Sequence, residues 1–272
     1  MNEKPIHIIS LGAGVQSSTM ALMAACGEIT PMPAFAVFAD TGDEPQEVYD
    51  WLDWLMIRLP FRTKIAHKRF PSYVGMESRR LSANIIENDF SQIPCFTRSE
   101  ETGKATIGKR QCTRHWKIDP VKRKIREALG TTAKRMEPGS VVVWQGISYD
   151  EATRMKESRE PFMVHRFPLF ERRMTRQQCY TWMESKGFPR PPKSACLYCP
   201  YQDRQRWQQK KQEGGEGWRT CVSVSRILEA RGEYLTADLK PIDQIDFTAK
   251  KDKDDGQNEF SFADECEGMC GV

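Results

Sequence analysis

IISLGAGVQSSTMALMA (residues 8–24) passes from an apolar segment through two glycines into a hydroxyl-rich stretch of helix formers. This order predicts a buried strand over 5–11, a turn at Gly12–Gly14 and a helix over 17–27. Backbone N–H groups at such a turn converge in front of the helix N-terminus. An anion is favoured there, and glycine lets a phosphate come close to the backbone. Ser17, Ser18 and Thr19 would add hydroxyl donors beside Gln16. The absence of Gly-Lys-Ser/Thr excludes a Walker loop. A dinucleotide fingerprint would need a third glycine where Ser17 stands, so that reading ranks second, with Asp40 as its ribose partner. A glycine-rich turn without a ligand is the bland alternative.

Outward from this turn, MPAFAVFAD ends a second strand at Asp40, and DEPQEVYDWLDWLMIRL has helical periodicity. RTKIAHKRF reads as a third strand, DPVKRKIREAL as a helix with Pro120 in its first turn, and 139–147 as another buried strand. Strands alternating with helices predict an α/β fold, an open and mostly parallel Rossmann-like sheet covered on both faces. MTRQQCYTWMESKG forms a further helix closed by Gly187. The four prolines of FPRPPKSACLYCP (188–200) then break regular structure. Helices over about 201–213 and 217–231 follow. The expected organisation is a PP-loop-like nucleotide domain over 1–190, a small helical cap over 191–248 holding Cys-x-x-Cys, and a flexible acidic tail over 249–272.

The chain of 272 residues is long enough for one large domain with an appendage. It has no apolar run of membrane-spanning length, and MNEKPIHIIS does not read as a signal peptide. The expectation is a soluble cytoplasmic protein with no membrane partner. The net charge of +4 is unevenly placed: residues 104–126 hold nine Lys or Arg against one Asp. That stretch suits a phosphate-rich ligand, from a nucleotide to a nucleic acid, or equally a solvated helix face.

Five blocks in order resemble the adenine-nucleotide α-hydrolase superfamily and, within it, the sulfonucleotide (PAPS/APS) reductase family. GVQSST (14–19) is similar to the modified PP-loop of that family. FADTGDEPQEVYDWL (38–52) is similar to its Asp-Thr-Gly strand end followed by a helix with an early carboxylate. QCTRHWKIDPVKRKI (111–125) resembles its Cys, Arg, Lys and Pro segment, GISYDEATR (146–154) its Gly-Ile/Leu-Arg-x-Asp/Glu block, and KSACLYCP (193–200) its C-terminal Cys-x-x-Cys. Two positions depart from the pattern: Ser148 replaces an Arg, and Gln111 replaces a Cys found beside Cys112 in cluster-bearing members. The resemblance implies an adenylyl nucleotide (PAPS, APS or ATP) held by Gly12, Gly14, Gln16, Ser17, Ser18, Asp40, Thr41, Gly42, Arg114 and Gly146, with Lys117 as a catalytic cation.

Nine cysteines without an export signal point to metal ligands, nucleophiles or buried thiols rather than disulfides. Cys196 and Cys199, followed by Pro200, have the spacing and the Cys-Pro ending of iron–sulfur sites. The resemblance adds Cys112, which would give a 4Fe-4S cluster three thiolates and leave one iron open. Zinc is the less favoured metal, because no second Cys-x-x-Cys or His pair is present. Cys95 and Cys221 are fourth-ligand candidates that no motif supports, and a reduced structural pair is the alternative for Cys196 and Cys199. Cys26 and Cys179 read as buried helix residues, and His7 and His165 as structural. ADECEGMC in the tail resembles the Glu-Cys-Gly motif of the family, which makes Cys266 the nucleophile. Cys270, which the family motif does not include, is a resolving-thiol candidate and a thioredoxin-like protein the reductant; an unreactive tail is the alternative. The leading expectation is a reductase converting a sulfonucleotide to sulfite. A PP-loop enzyme installing sulfur in nucleic acid, by tRNA thiolation or DNA phosphorothioation, is the alternative, and an idle nucleotide-binding module the third.

Overall fold

The computed structural model describes residues 4–70, 79–88, 91–132 and 135–248. Apolar strands bury both faces of one sheet. β1 (Ile6–Leu11), β2 (Phe35–Asp40), β3 (Arg62–His67), β6 (Val141–Gln145) and β7 (Met163–Arg166) pair in the order β3-β2-β1-β6-β7, every pairing parallel. Side chains alternate across β2: Ala36 and Phe38 face one core, while Phe35, Val37 and Ala39 face the other. The first core packs under α1 (Val15–Ala25), α2 (Gln46–Arg58) and α6 (Arg176–Ser185). The second lies under α4 (Asp119–Ala128), which contributes Val121 and Ile125.

α3 (Leu81–Glu87), the hairpin of β4 (Phe96–Arg98) and β5 (Ala105–Ile107), and the helices α7 (Arg204–Glu213) and α8 (Gly215–Glu229) stand outside the sheet. Leu81, Ile85, Ile93 and Trp116 share a third core with Tyr198, Trp207, Val224 and Leu228. The region after 191 is therefore packed on residues 81–116. α5 (Pro168–Glu171) links β7 to α6, whose N-terminus is closed by a reciprocal capping box of Thr175 and Gln178. No helix among the described residues is long and apolar enough to cross a membrane.

The sequence-predicted strands at β1, β2, β3 and β6 form, as do the helices at α2, α4 and α6. α1 begins at Val15 rather than 17, with Gly14 at its N-cap. Cys26 is a correction: it caps the C-terminus of α1 and is exposed, whereas Cys179 is buried as expected.

Two histidines on the β6–β7 side of the sheet are structural. His7 Nδ1 accepts a hydrogen bond from Trp144 Nε1 at 2.9 Å, and His165 Nδ1 meets the Lys156 carbonyl at 2.8 Å. Burial holds both rings below their usual value of 6.5, with smaller pushes from Arg166 on His7 and Lys122 on His165. As pH falls through 6.5 the unfolded chain takes up these protons and the folded chain refuses them, so stability is full above 6.5 and declines below it. Denaturant titrations at roughly pH 7.5 and pH 5.5 will show this loss, smaller in His165→Gln. An equal loss in the variant would contradict it.

Candidate functional site

The strand order reverses direction between β1 and β6, and ligands of open α/β sheets bind at the carboxyl ends of strands beside such a reversal. The Gly12–Gly14 turn leaves β1 there. Its left-handed residue is Ala13, at φ +58°, a strained conformation of the kind found at functional sites. The first turn of α1 is buried and carries no side-chain cap, so its amides have no partner from the helix itself. From the other side of the reversal Gly146 presses onto this turn. A Cβ on Gly146 would sit 2.6 Å from Ser17 N and 2.8 Å from Ser17 Cα.

The hydroxyls expected to face a ligand are engaged within the chain. Ser17 Oγ accepts from Gly12 N–H and donates to the Gly14 carbonyl, while Ser18 Oγ accepts from Trp51 Nε1 at 2.9 Å. Gln16 Nε2 donates to Glu151 Oε1 at 2.9 Å. Around them Gln16 Oε1, Thr19 Oγ1, Gln145 Nε2 and Ser148 Oγ are buried without a hydrogen-bond partner. Buried polar atoms at the mouth of an uncapped helix are what a polar ligand would satisfy.

At the end of β2, Asp40 organises the chain itself. Its Oδ1 accepts from Gly42 N–H and from Tyr49 OH, each at 2.8 Å, and its Oδ2 lies 3.5 Å from His67. Gly42 has φ +78°, and its Cα faces Arg80 so closely that a Cβ would meet Arg80 Cγ at 2.9 Å. Thr41 reaches the cysteines instead: its Oγ1 shares a hydrogen bond with Cys196 Sγ at 3.3 Å.

Cys112, Cys196 and Cys199 line one small cavity together with Thr41, Arg110, Lys117 and Tyr201. Cys112 and Lys117 are five residues apart, a spacing that on an α-helix would point them about 140° apart. Residues Thr113–Ile118 instead form a π-helical turn, with Asp119 N–H donating to the Arg114 carbonyl, and i→i+5 closure brings both to the cavity. Pro120, which has no N–H and crowds the carbonyl one turn back, suits this wider turn. Lys117 is buried, its Nζ 3.6 Å from Glu44 Oε1, and the same oxygen lies 3.7 Å from Cys196 Sγ. The other oxygen of Glu44 is buried and has no hydrogen-bond partner. Burial, and then the Glu44 charge, push the Cys196 thiol well up, with Lys117 opposing them.

The segment carrying Cys196 is tied both to the Gly12–Gly14 turn and to Asp43 in the loop after β2. Ser194 Oγ donates to the Gly12 carbonyl, Leu197 N–H donates to the Asp43 carbonyl at 2.8 Å, and Tyr198 OH donates to Asp43 Oδ2 at 2.7 Å. Gln202 Nε2 donates to the carbonyls of Leu197 and Cys199, each at 2.9 Å, and Lys210 also donates to Leu197 O. Burial brings Lys210 down to about 8. An open cleft of about 650 Å³ lies beyond, between α2 and the α7–α8 pair.

The donor set suits an iron–sulfur group: three thiols, largely apolar walls, and the cations Lys117 and Arg110 to offset thiolate charge. As they stand, no three ligating side chains among the described residues are close enough to hold a metal ion. Neither candidate fourth ligand lines the cavity. Cys95 bonds Ser91 at 3.2 Å, burial raising it to about 12, and Cys221 donates to Leu197 O, burial raising it to about 11. Arg114 is exposed and pairs at 3.9 Å with Asp119. Cys266 and Cys270 lie outside the described residues.

Residue-by-residue reading missed two carboxylates. Glu44 could have been found as the early carboxylate after Asp-Thr-Gly. Glu151, buried between Gln16, Arg154 and Arg176, gave no signal except its place after Gly146-Ile147-Ser148.

Fold and site together define an open, parallel α/β protein whose uncapped, glycine-turn helix adjoins a thiol-lined cavity. No protein-family model matches the chain, and no curated protein matches its sequence. Among solved structures, a phosphoadenylyl-sulfate (PAPS) reductase from Candida auris, in a phosphate complex, is similar at 14% identity and a TM-score of 0.45. The match covers 69% of this chain and 75% of that one. The U34-tRNA thiolase NcsA from Methanococcus maripaludis, with its [4Fe-4S] cluster, is similar at 14% identity and a TM-score of 0.38, over 84% and 73%.

Proposed function

We propose that this chain is an enzyme of sulfur chemistry that binds an adenylyl nucleotide at Gly12–Ser17 and holds an iron–sulfur group on Cys112, Cys196 and Cys199. The observation that carries it is the Thr41–Cys196 hydrogen bond of 3.3 Å, which joins the carboxyl edge of the sheet to the thiol cavity. The amides of α1 would take the nucleotide phosphate. When bound, the cluster, held by Cys112, Cys196 and Cys199, would supply an open iron with Lewis-acid character. Lys117, held by Glu44, would balance negative charge at that point.

The reaction we assign is that of a sulfonucleotide reductase. The Cys266 thiolate attacks the sulfonate sulfur of PAPS or APS, forming an S–S bond as the S–O bond to the nucleotide phosphate breaks. A second thiol attacks the enzyme thiosulfonate, releasing sulfite and leaving a disulfide that a dithiol protein of thioredoxin type reduces. Sulfite release from PAPS or APS with a dithiol reductant, lost in Cys266→Ser, is the expected result. Nucleotide binding without sulfite release would overturn the assignment.

One observation favours a second reading, ATP-dependent installation of sulfur in a nucleic acid. Ser148 offers a neutral hydroxyl where the resemblance expects an Arg, and the nearby Arg154 and Arg176 are drawn to Glu151. This weakens the case for a sulfonate, while the nine Lys or Arg of residues 104–126 suit a nucleic acid. This reading expects nucleic-acid-dependent release of pyrophosphate from ATP, unaffected by Cys266→Ser.

A further inference from the structure

The cations of residues 104–126 acquire a place in the fold that the sequence did not give them. The end of β3, the π-helical turn and α4 pack together and form one face. Arg123 donates to the His67 carbonyl, and Glu127 draws Arg69, Arg123 and Lys124 to itself at 3.9, 3.5 and 3.3 Å. Lys68 Nζ stands 4.5 Å over the Trp116 ring, and Trp116 Nε1 donates to Gln92 Oε1. The Gln92 carbonyl in turn accepts from Cys112 N–H at 2.7 Å, so the face runs directly into the thiol cavity. Arg69 and Arg114 are 76% and 66% exposed, and Asp119 and Glu127 are too few to cancel the cations around them.

At the mouth of the cavity the Arg110 guanidinium lies 4.1 Å from the centre of the Tyr201 ring, and both residues line the cavity wall. A guanidinium carbon this close over an aromatic ring marks a cation–π pair, and both groups are surfaces on which nucleobases stack. α4, at ten residues, is about 15 Å long, a span that reaches several successive phosphates and exceeds a mononucleotide. A duplex keeps its bases inside and could use the cations alone. An acidic peptide would likewise leave the stacked pair unused.

We propose that the face formed by Lys68, Arg69, Arg114, Arg123 and Lys124 binds single-stranded nucleic acid, with Arg110 and Tyr201 stacking an unpaired base at the mouth of the cysteine cavity. It rests on the second reading above, because a base placed there is an acceptor for sulfur rather than a source of sulfite.

Fluorescence anisotropy of the full chain with fluorescein-labelled single-stranded 12-mers, DNA and RNA, tests it. Affinity falls with salt, by a log–log slope of about −0.7 per phosphate contacted. Arg110→Ala weakens binding roughly tenfold at constant slope, as loss of one base stack does. Arg69→Glu with Arg114→Glu lowers the slope, and the exposure of both residues leaves the fold intact. Equal affinity in all variants, no salt-dependent binding, or equal competition by a polyglutamate peptide would overturn the proposal. Binding with these signatures, but no sulfur gained by the oligonucleotide on incubation with ATP and a sulfur donor, upholds the surface and removes the sulfur-installing reading.

Discussion

Gly146→Ala will abolish nucleotide binding and destabilise the fold by about 3 kcal/mol, the upper range for overpacking. The added Cβ would sit 2.6 Å from Ser17 N, 2.8 Å from Ser17 Cα and 3.1 Å from Gln16 C. All three are backbone atoms of a buried helix turn, so no rotamer change makes room. Either β6 shifts against β1, disturbing their register from Ile6↔Val141 to Ser10↔Gln145, or the first turn of α1 moves off its position. Both displace the amides assigned to the phosphate. Gly187→Ala is the control: it sits at φ +70° with nothing within 4 Å of its Cβ, so backbone strain of about 1 kcal/mol is the whole cost. Thermal denaturation and nucleotide titration will separate the two variants. A Gly146→Ala protein with the parent melting temperature and affinity would remove the close approach from the account.

Lys117→Met is expected to cost about 3–5 kcal/mol, because it leaves the Glu44 carboxylate buried without its cation. The side chains of Lys117 and Glu44 are only 6% and 1% exposed, so water cannot replace the lost partner. The second oxygen of Glu44 already lacks a hydrogen-bond partner, which makes the pair intolerant of further loss. Adding Glu44→Gln to Lys117→Met will recover most of the stability, since an amide is far less costly to bury than an unpaired charge. Denaturant titration of the four proteins of this cycle measures the coupling directly. Additive effects would show that the pair is not the unit described. The double variant is expected to be inactive, because Lys117 is also one of the cations that line the cavity, with Arg110.

The sheet was legible because its central strands are short, continuous apolar runs bounded by glycine and charge. HIISL, AFAVFAD and VVVWQ could hardly be anything else once helices alternated with them. β7 was not, because Met163-Val164-His165-Arg166 is four residues long and half polar, and its edge position needs apolar contact on few of them. The Gly12–Gly14 turn and the three cysteines could be placed from type and spacing, since each needs one particular residue. What spacing could not give is who satisfies whom. Ser17 and Ser18 look like ligand donors in the sequence, but they close the loop and hold Trp51. Asp40 looks like a ribose partner in the sequence, which gives no sign that it also accepts from Gly42 and Tyr49. The π-helical turn was equally hidden: a five-residue spacing between Cys112 and Lys117 reads as two faces of a helix until i→i+5 closure unites them.

The proposed iron–sulfur group on Cys112, Cys196 and Cys199, beside the nucleotide loop, is open to direct chemical analysis. Iron, zinc and acid-labile sulfide analysis with a visible spectrum, on protein purified without oxygen, tests it most directly. The expected result is iron and sulfide in equal amounts, visible absorption, and loss of both in Cys196→Ala with the fold retained. Zinc alone, or a colourless protein free of metal, would contradict it and leave the three thiols as a structural cluster.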